Sequence, residues 1–123
     1  ELPNSESKFD RILIDAPCTG LGALRRRPEV RWRRTPADLP SLTALQRDLL
    51  DSAKRLLKPK GVIAYATCSP HLAETKWQIN GFLKDNPEFK RIPVKEYADK
   101  DGDMQLWTYR DGTDSMFLSL LSL

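Results

Sequence analysis

"FDRILIDAPCTG", residues 9–20, holds the reading on which the fold turns. Its first half is a short apolar run, partly β-branched and ended by turn residues, the pattern of a buried strand over residues 9–14. "GVIAYATCSP", residues 61–70, repeats the pattern, with a strand over residues 61–67. Between them, "SLTALQRDLLDSAKRLL" (residues 41–57) places Leu42, Leu45, Leu49, Ala53 and Leu56 on one helical face. Ser41 can cap its start, Lys54 and Arg55 complement the dipole at its end, and Pro59 stops it. A strand–helix–strand unit of this length implies a parallel pair joined by a right-handed crossover.

The remaining segments extend that unit. Residues 72–84 read as a second helix, and "FKRIPV", "MQLWTY" and "SMFLSLLSL" as short strands separated by the turns "DKDGD" and "RDGTD". Leu42, Leu45 and Leu49 are expected in the core, with Trp77 and Trp107 in or near it. The class is α/β, a parallel sheet with a terminal antiparallel addition and helices on both faces.

The chain's only two cysteines close the two strand-like runs. In open α/β sheets ligands bind beyond the carboxyl ends of the strands. If the strands are neighbours about 4.8 Å apart, Cys18 and Cys68 meet in one crevice, joined by Asp15, Thr67 and Ser69. Cys68 also precedes a helix, whose first N–H groups would stabilise a thiolate. A lone cysteine is more often a buried, inert residue, but two at equivalent strand ends favour chemistry. A redox pair would ordinarily read Cys-x-x-Cys, which is absent. Zinc would need further ligands, and His71 is the only histidine. Asp15 reads equally as a loop cap or a site carboxylate. Glu74 reads as an early-helix residue complementing the dipole and stands outside the catalytic set.

The 123 residues suit one core, and the net charge of +3 is mild. Its distribution is uneven: "RRRPEVRWRR" carries Arg25, Arg26, Arg27, Arg31, Arg33 and Arg34 around Trp32. Such a run is a solvated basic loop or a site for phosphate and RNA, with Trp32 offering a stacking face. No apolar stretch approaches the roughly 20 residues that span a membrane. Two thiols without a disulfide framework fit a reducing, cytoplasmic setting.

Taken together, "DAPCTGLG" with "RRRPEVRW", "LQRDLLDSAKRLLKPKGVIAYATCSP" with Glu74, and "MQLWTYRDGTDSMFLSLL" resemble the RNA 5-methylcytosine methyltransferases of the Sun/Fmu (RsmB-like) type. The paired Asp-Ala-Pro-Cys and Thr-Cys-Ser motifs are what make the match specific. The resemblance implies a partial Rossmann-like methyltransferase sheet and S-adenosylmethionine as cofactor, with Asp15 and Pro17 beside it. It implies Cys68 as the thiol that attacks cytosine, Cys18 as the group that assists product release, and Asp15 as a hydrogen-bonding partner of the ring. The arginine run and Trp32 would hold RNA, ribosomal RNA being the expected class. The sequence departs from the family at Thr75, Asp111 and Ser115, none of them a thiol.

The family's glycine-rich cofactor loop has no counterpart before Asp15. Residues 1–123 are therefore expected to be the C-terminal half of a catalytic domain, without the cofactor-loop half or the N-terminal RNA-binding region, and inactive alone. An open first strand invites pairing, so a homodimer through that edge is expected, readable by light scattering. The competing readings are a non-enzymatic RNA-binding module and a thiol redox module using Cys18 and Cys68. A DNA cytosine methyltransferase would carry its nucleophile in the Pro-Cys motif; the second thiol argues for the RNA type.

Overall fold

In the computed structural model, which describes residues 8–19, 38–107, 111 and 114–123, strand β1 (Phe9–Asp15) runs parallel to β2 (Leu57–Thr67). Ile12 lies opposite Ile63 and Ile14 opposite Tyr65. Helix α1 (Asp38–Leu56) precedes β2 directly. On the other side of β2 lies β5 (Met116–Ser122), antiparallel, with Ile63 opposite Leu121. Two short strands, β3 (Lys90–Ile92) and β4 (Met104–Leu106), pair antiparallel with β5. Among the described residues the order β1-β2-β5-β3 leaves β1 at the edge. The arginine run and Trp32 lie outside the described residues.

The passage from α1 into β2 has a steric cause. Pro59 cannot continue the helix, Lys60 takes the left-handed region at φ 65°, and Gly61 returns the chain to the sheet. A Cβ on Gly61 would lie 2.5 Å from Leu57 Cδ1 and 2.8 Å from the Lys58 carbonyl oxygen. Only a glycine admits so close a fold-back. The β1–β2 register shifts at this point and is regular from Arg11–Val62 to Asp15–Ala66.

Ile14, Ile63, Tyr65, Phe117 and Leu121 share one sheet face with Leu50 and Ala53 of α1. Helix α2 (Lys76–Asp85) adds Ile79 and Phe82 to the same cluster. Both helices therefore cover one face. Among the described residues the opposite face, with Val62, Ala64 and Leu120 half-buried and Leu13 70% exposed, carries no helix. Nor, among them, is any helix long and apolar enough to cross a membrane.

Four expectations need correction. The helix begins at Asp38, so Pro40 sits in its first turn and Ser41 is not the cap. Its buried stripe runs through Leu42, Gln46, Leu50, Ala53 and on to Leu57, leaving Leu45 45% exposed. A polar residue took the core position because it is fully hydrogen-bonded there, which period counting on apolar residues misses. Trp77 is 62% exposed rather than packed in the core. The expected helix over 72–84 divides into a 3-10 turn, Leu72–Glu74, and α2, with Thr75 between them at φ −125° and ψ −101°.

The turn at residues 99–103 is tied down by charge. Lys76 Nζ lies 3.0 Å from both Asp101 and Asp103 and also pairs with Asp99. Ser119 Oγ donates to Asp103 at 2.7 Å. The phase of α1 is testable by urea unfolding. Leu50→Ala is expected to cost about 2–5 kcal/mol and Leu45→Ala under about 1 kcal/mol; equal costs would contradict this packing.

Candidate active site

The parallel register ends with Asp15 opposite Ala66, and Ala16 N–H donates to the Ala66 carbonyl at 2.9 Å. The two strands thus deliver their following turns to the same end of the sheet. Cys18 Sγ and Cys68 Sγ lie 3.5 Å apart. Cys18 is buried and Cys68 partly open. Charge is costlier at the more buried sulfur, which makes Cys18 the thiol donor and Cys68 the acceptor.

That hydrogen bond is the main influence on Cys68, whose pKa is lowered to about 6. Burial works against the shift, its own backbone N–H favours it, and the charges of Asp15 and Asp114 oppose it. The expected contribution of a following helix gives way to that of the second thiol. The next element is a three-residue 3-10 turn whose cap is His71, with Nδ1 accepting from Ala73 N–H at 3.1 Å. The bond between the sulfurs favours the Cys68 thiolate, the nucleophilic form of cysteine.

Asp15 stands exposed at the rim, and among the described residues its carboxylate accepts no hydrogen bond. Pro17 is exposed, and its carbonyl accepts from Gln46 Nε2 at 2.9 Å. Thr67 and Ser69 are buried beside Cys68.

Sequence reasoning missed Gln46, Thr19 and the part played by Glu74. Rather than serving the dipole at a helix start, Glu74 is wholly buried. Its Oε1 accepts from Thr19 N–H at 2.8 Å and from Gln46 Nε2 at 3.3 Å. Its Oε2 accepts from Thr19 Oγ1 at 2.8 Å and from Ser69 Oγ. Tyr65 hydroxyl donates to the Glu74 carbonyl at 2.8 Å. Burial, then the charges of Glu74 and Cys18, push the Tyr65 pKa up and keep it a donor. Gln46 and Thr19 stand 28 and 55 residues from Glu74, so no local pattern announces the cluster.

An open α/β sheet whose parallel pair brings two thiols to one crevice, with antiparallel strands beyond, has the architecture of a Rossmann-like methyltransferase. Comparison with known proteins makes this specific. Residues 2–122 match the family described as 16S rRNA methyltransferase RsmB/F, and the chain belongs to that family. A protein of Mycobacterium tuberculosis that carries the name putative methyltransferase Rv1407 is 52% identical over 119 residues, spanning 92% of this chain and 26% of the relative. The ribosomal RNA small subunit methyltransferase B of Salmonella arizonae is 46% identical over 116 residues, 94% of this chain and 27% of the relative. The crystal structure of PH0851 superposes with a TM-score of 0.88 at 41% identity, covering 93% of this chain and 26% of that one. The chain therefore spans about a quarter of the length of these relatives.

The thiol pair predicts a pH profile. Cys68 carries its proton below about pH 6 and loses it above, so alkylation by iodoacetamide, followed by mass spectrometry, should rise with a midpoint there. Cys18→Ala removes the donor, and the midpoint should move up towards the ordinary thiol value of about 8.5. An unchanged midpoint would mean that the second sulfur has no part in the shift.

Proposed function

We propose that this chain is part of an S-adenosylmethionine-dependent ribosomal RNA cytosine C5 methyltransferase that works through a covalent cysteine adduct. The observation that carries the reading is the 3.5 Å separation of Cys18 and Cys68 sulfurs at the carboxyl ends of two parallel strands. Membership of the family and the name of the Salmonella relative support a small-subunit ribosomal RNA as the substrate.

Cytosine C5 is a poor nucleophile until the ring's conjugation is broken. The Cys68 thiolate adds to C6, forming a C–S bond and moving the C5–C6 electron pair to C5. Asp15 hydrogen-bonds the ring as charge develops. Loss of the C5 proton to solvent after methyl transfer then restores the C5–C6 double bond and expels the Cys68 sulfur as thiolate. Cys18, within hydrogen-bonding reach of that sulfur, assists the release. The target base must leave its stack to meet the thiol. The arginines at 25–27, 31, 33 and 34, with Trp32, hold the RNA in this reading.

Asp15 and Pro17 fit the border of a cofactor site, since both are exposed at the end of β1 and the carboxylate accepts no hydrogen bond among the described residues. S-adenosylmethionine, when bound, supplies an electrophilic methyl group. These residues offer one side of such a site, so this chain alone should bind the cofactor weakly; micromolar affinity by calorimetry would overturn that. Two thiols held this close in the reduced form fit a reducing cytoplasm.

In the full-length enzyme, Cys68→Ala is expected to reduce methylation to background while RNA binding persists. Cys18→Ala is expected to accumulate an RNA–protein adduct that survives a denaturing gel. Methylation undiminished by Cys68→Ala would refute Cys68 as the nucleophile. The sulfur separation also supports a second reading, a redox pair, for which a disulfide cycling with the cellular thiol poise would be the sign.

A further inference from the structure

We infer that Glu74 is a positioning residue that clamps the Cys18 segment to the Cys68 segment, an inference resting on the covalent-cysteine reading above. Thr19 and Ser69 each follow one of the two cysteines. The Glu74 carboxylate accepts from the backbone and hydroxyl of the first and from the hydroxyl of the second. Gln46 of α1 supplies a fourth donor and also holds the Pro17 carbonyl, one residue before Cys18. Thr19 Oγ1 and Ser69 Oγ lie 3.5 Å apart, so the hydroxyl contact runs alongside the sulfur contact of the same length.

A wholly buried carboxylate is costly unless its lone pairs are occupied. It offers about four acceptor sites, and here it receives four donors. No cation among the described residues pairs with it. Since Tyr65 of β2 holds the Glu74 carbonyl, the clamp is anchored to the core strand that leads directly into Cys68. Glu74 does not touch either sulfur in this account; it acts by fixing the residues beside them. Losing it frees the turn of Cys18, and the sulfurs separate.

The test reads sulfur proximity in this chain, without RNA or cofactor, so it can fail while the methylation mechanism stands and succeed while that mechanism falls. Two quantities are measured: the pH midpoint of Cys68 alkylation, and the rate at which diamide closes the Cys18–Cys68 disulfide. In that closure the two thiols lose two protons and two electrons to diamide, which becomes its hydrazine. For Glu74→Ala, with the wild-type circular dichroism spectrum retained, the midpoint is expected to rise by more than about one pH unit and closure to slow about tenfold or more.

Glu74→Gln keeps an acceptor for Thr19 N–H and offers an amide donor to the two hydroxyls, which can rotate to accept. It should restore most of both readouts. Should Glu74→Ala fail to fold, the paired change Thr19→Val with Ser69→Ala carries the same expectation. Folded Glu74→Ala protein, or a folded Thr19→Val/Ser69→Ala pair, with both readouts unaltered would overturn the clamp.

Discussion

The parallel register between β1 and β2 is the constraint on which the rest depends. With Ile12 against Ile63 and Ile14 against Tyr65, the core side chains of both strands share one face and the two strands end together. Side chains alternate along a strand, so a one-residue slip would turn Ile12 and Ile14 away from the helices. It would also draw the turn of Cys18 back from that of Cys68. Burial thus selects the register, and the register brings the thiols together. The fold-back at Lys60 and Gly61 supports this by letting α1 pass into β2 almost without a connecting loop.

Two buried carboxylates show different ways of meeting the same electrostatic demand. Asp103 pairs with Lys76 at 3.0 Å and Arg91 at 3.3 Å and accepts from Ser119. Glu74 receives hydrogen bonds from neutral donors. Hydrogen bonds to a charged acceptor are stronger than those between neutral groups, and donors on separate segments convert that strength into a fixed relation between segments. The Asp103 cluster secures a turn against α2 and β5; the Glu74 cluster joins the two thiol-bearing turns to α1.

The sheet is asymmetric. One face is closed by α1 and α2, while the other presents Leu13, Val62, Ala64 and Leu120 without a helix among the described residues. Asp15 and Pro17 lie at the end of the edge strand, and Cys68 opens to the same crevice as Cys18. The chemistry assigned to the thiols and the carboxylate is thereby concentrated where the parallel pair terminates, while the antiparallel strands β3, β4 and β5 broaden the support on the far side of β2.

Much of the fold was legible in local pattern. The runs at 9–14 and 61–67, the helical period between them and the Asp-Gly turn near residue 102 each depend on near neighbours, and each formed close to its expected bounds. The two cysteines could be brought together from the same information, because parallel strands of known spacing leave their turns little freedom. The rest depended on contacts between distant residues. Gln46 displaced Leu45 from the buried stripe because its amide meets Pro17 and Glu74 across the fold. Glu74 looked like a helix-start carboxylate because its donors lie elsewhere in the chain. Sequence alone determined the strands, the crossover helix and the ends that carry sulfur; the tertiary structure decided which polar groups entered the core, since a buried charge can be satisfied only by partners that folding brings to it.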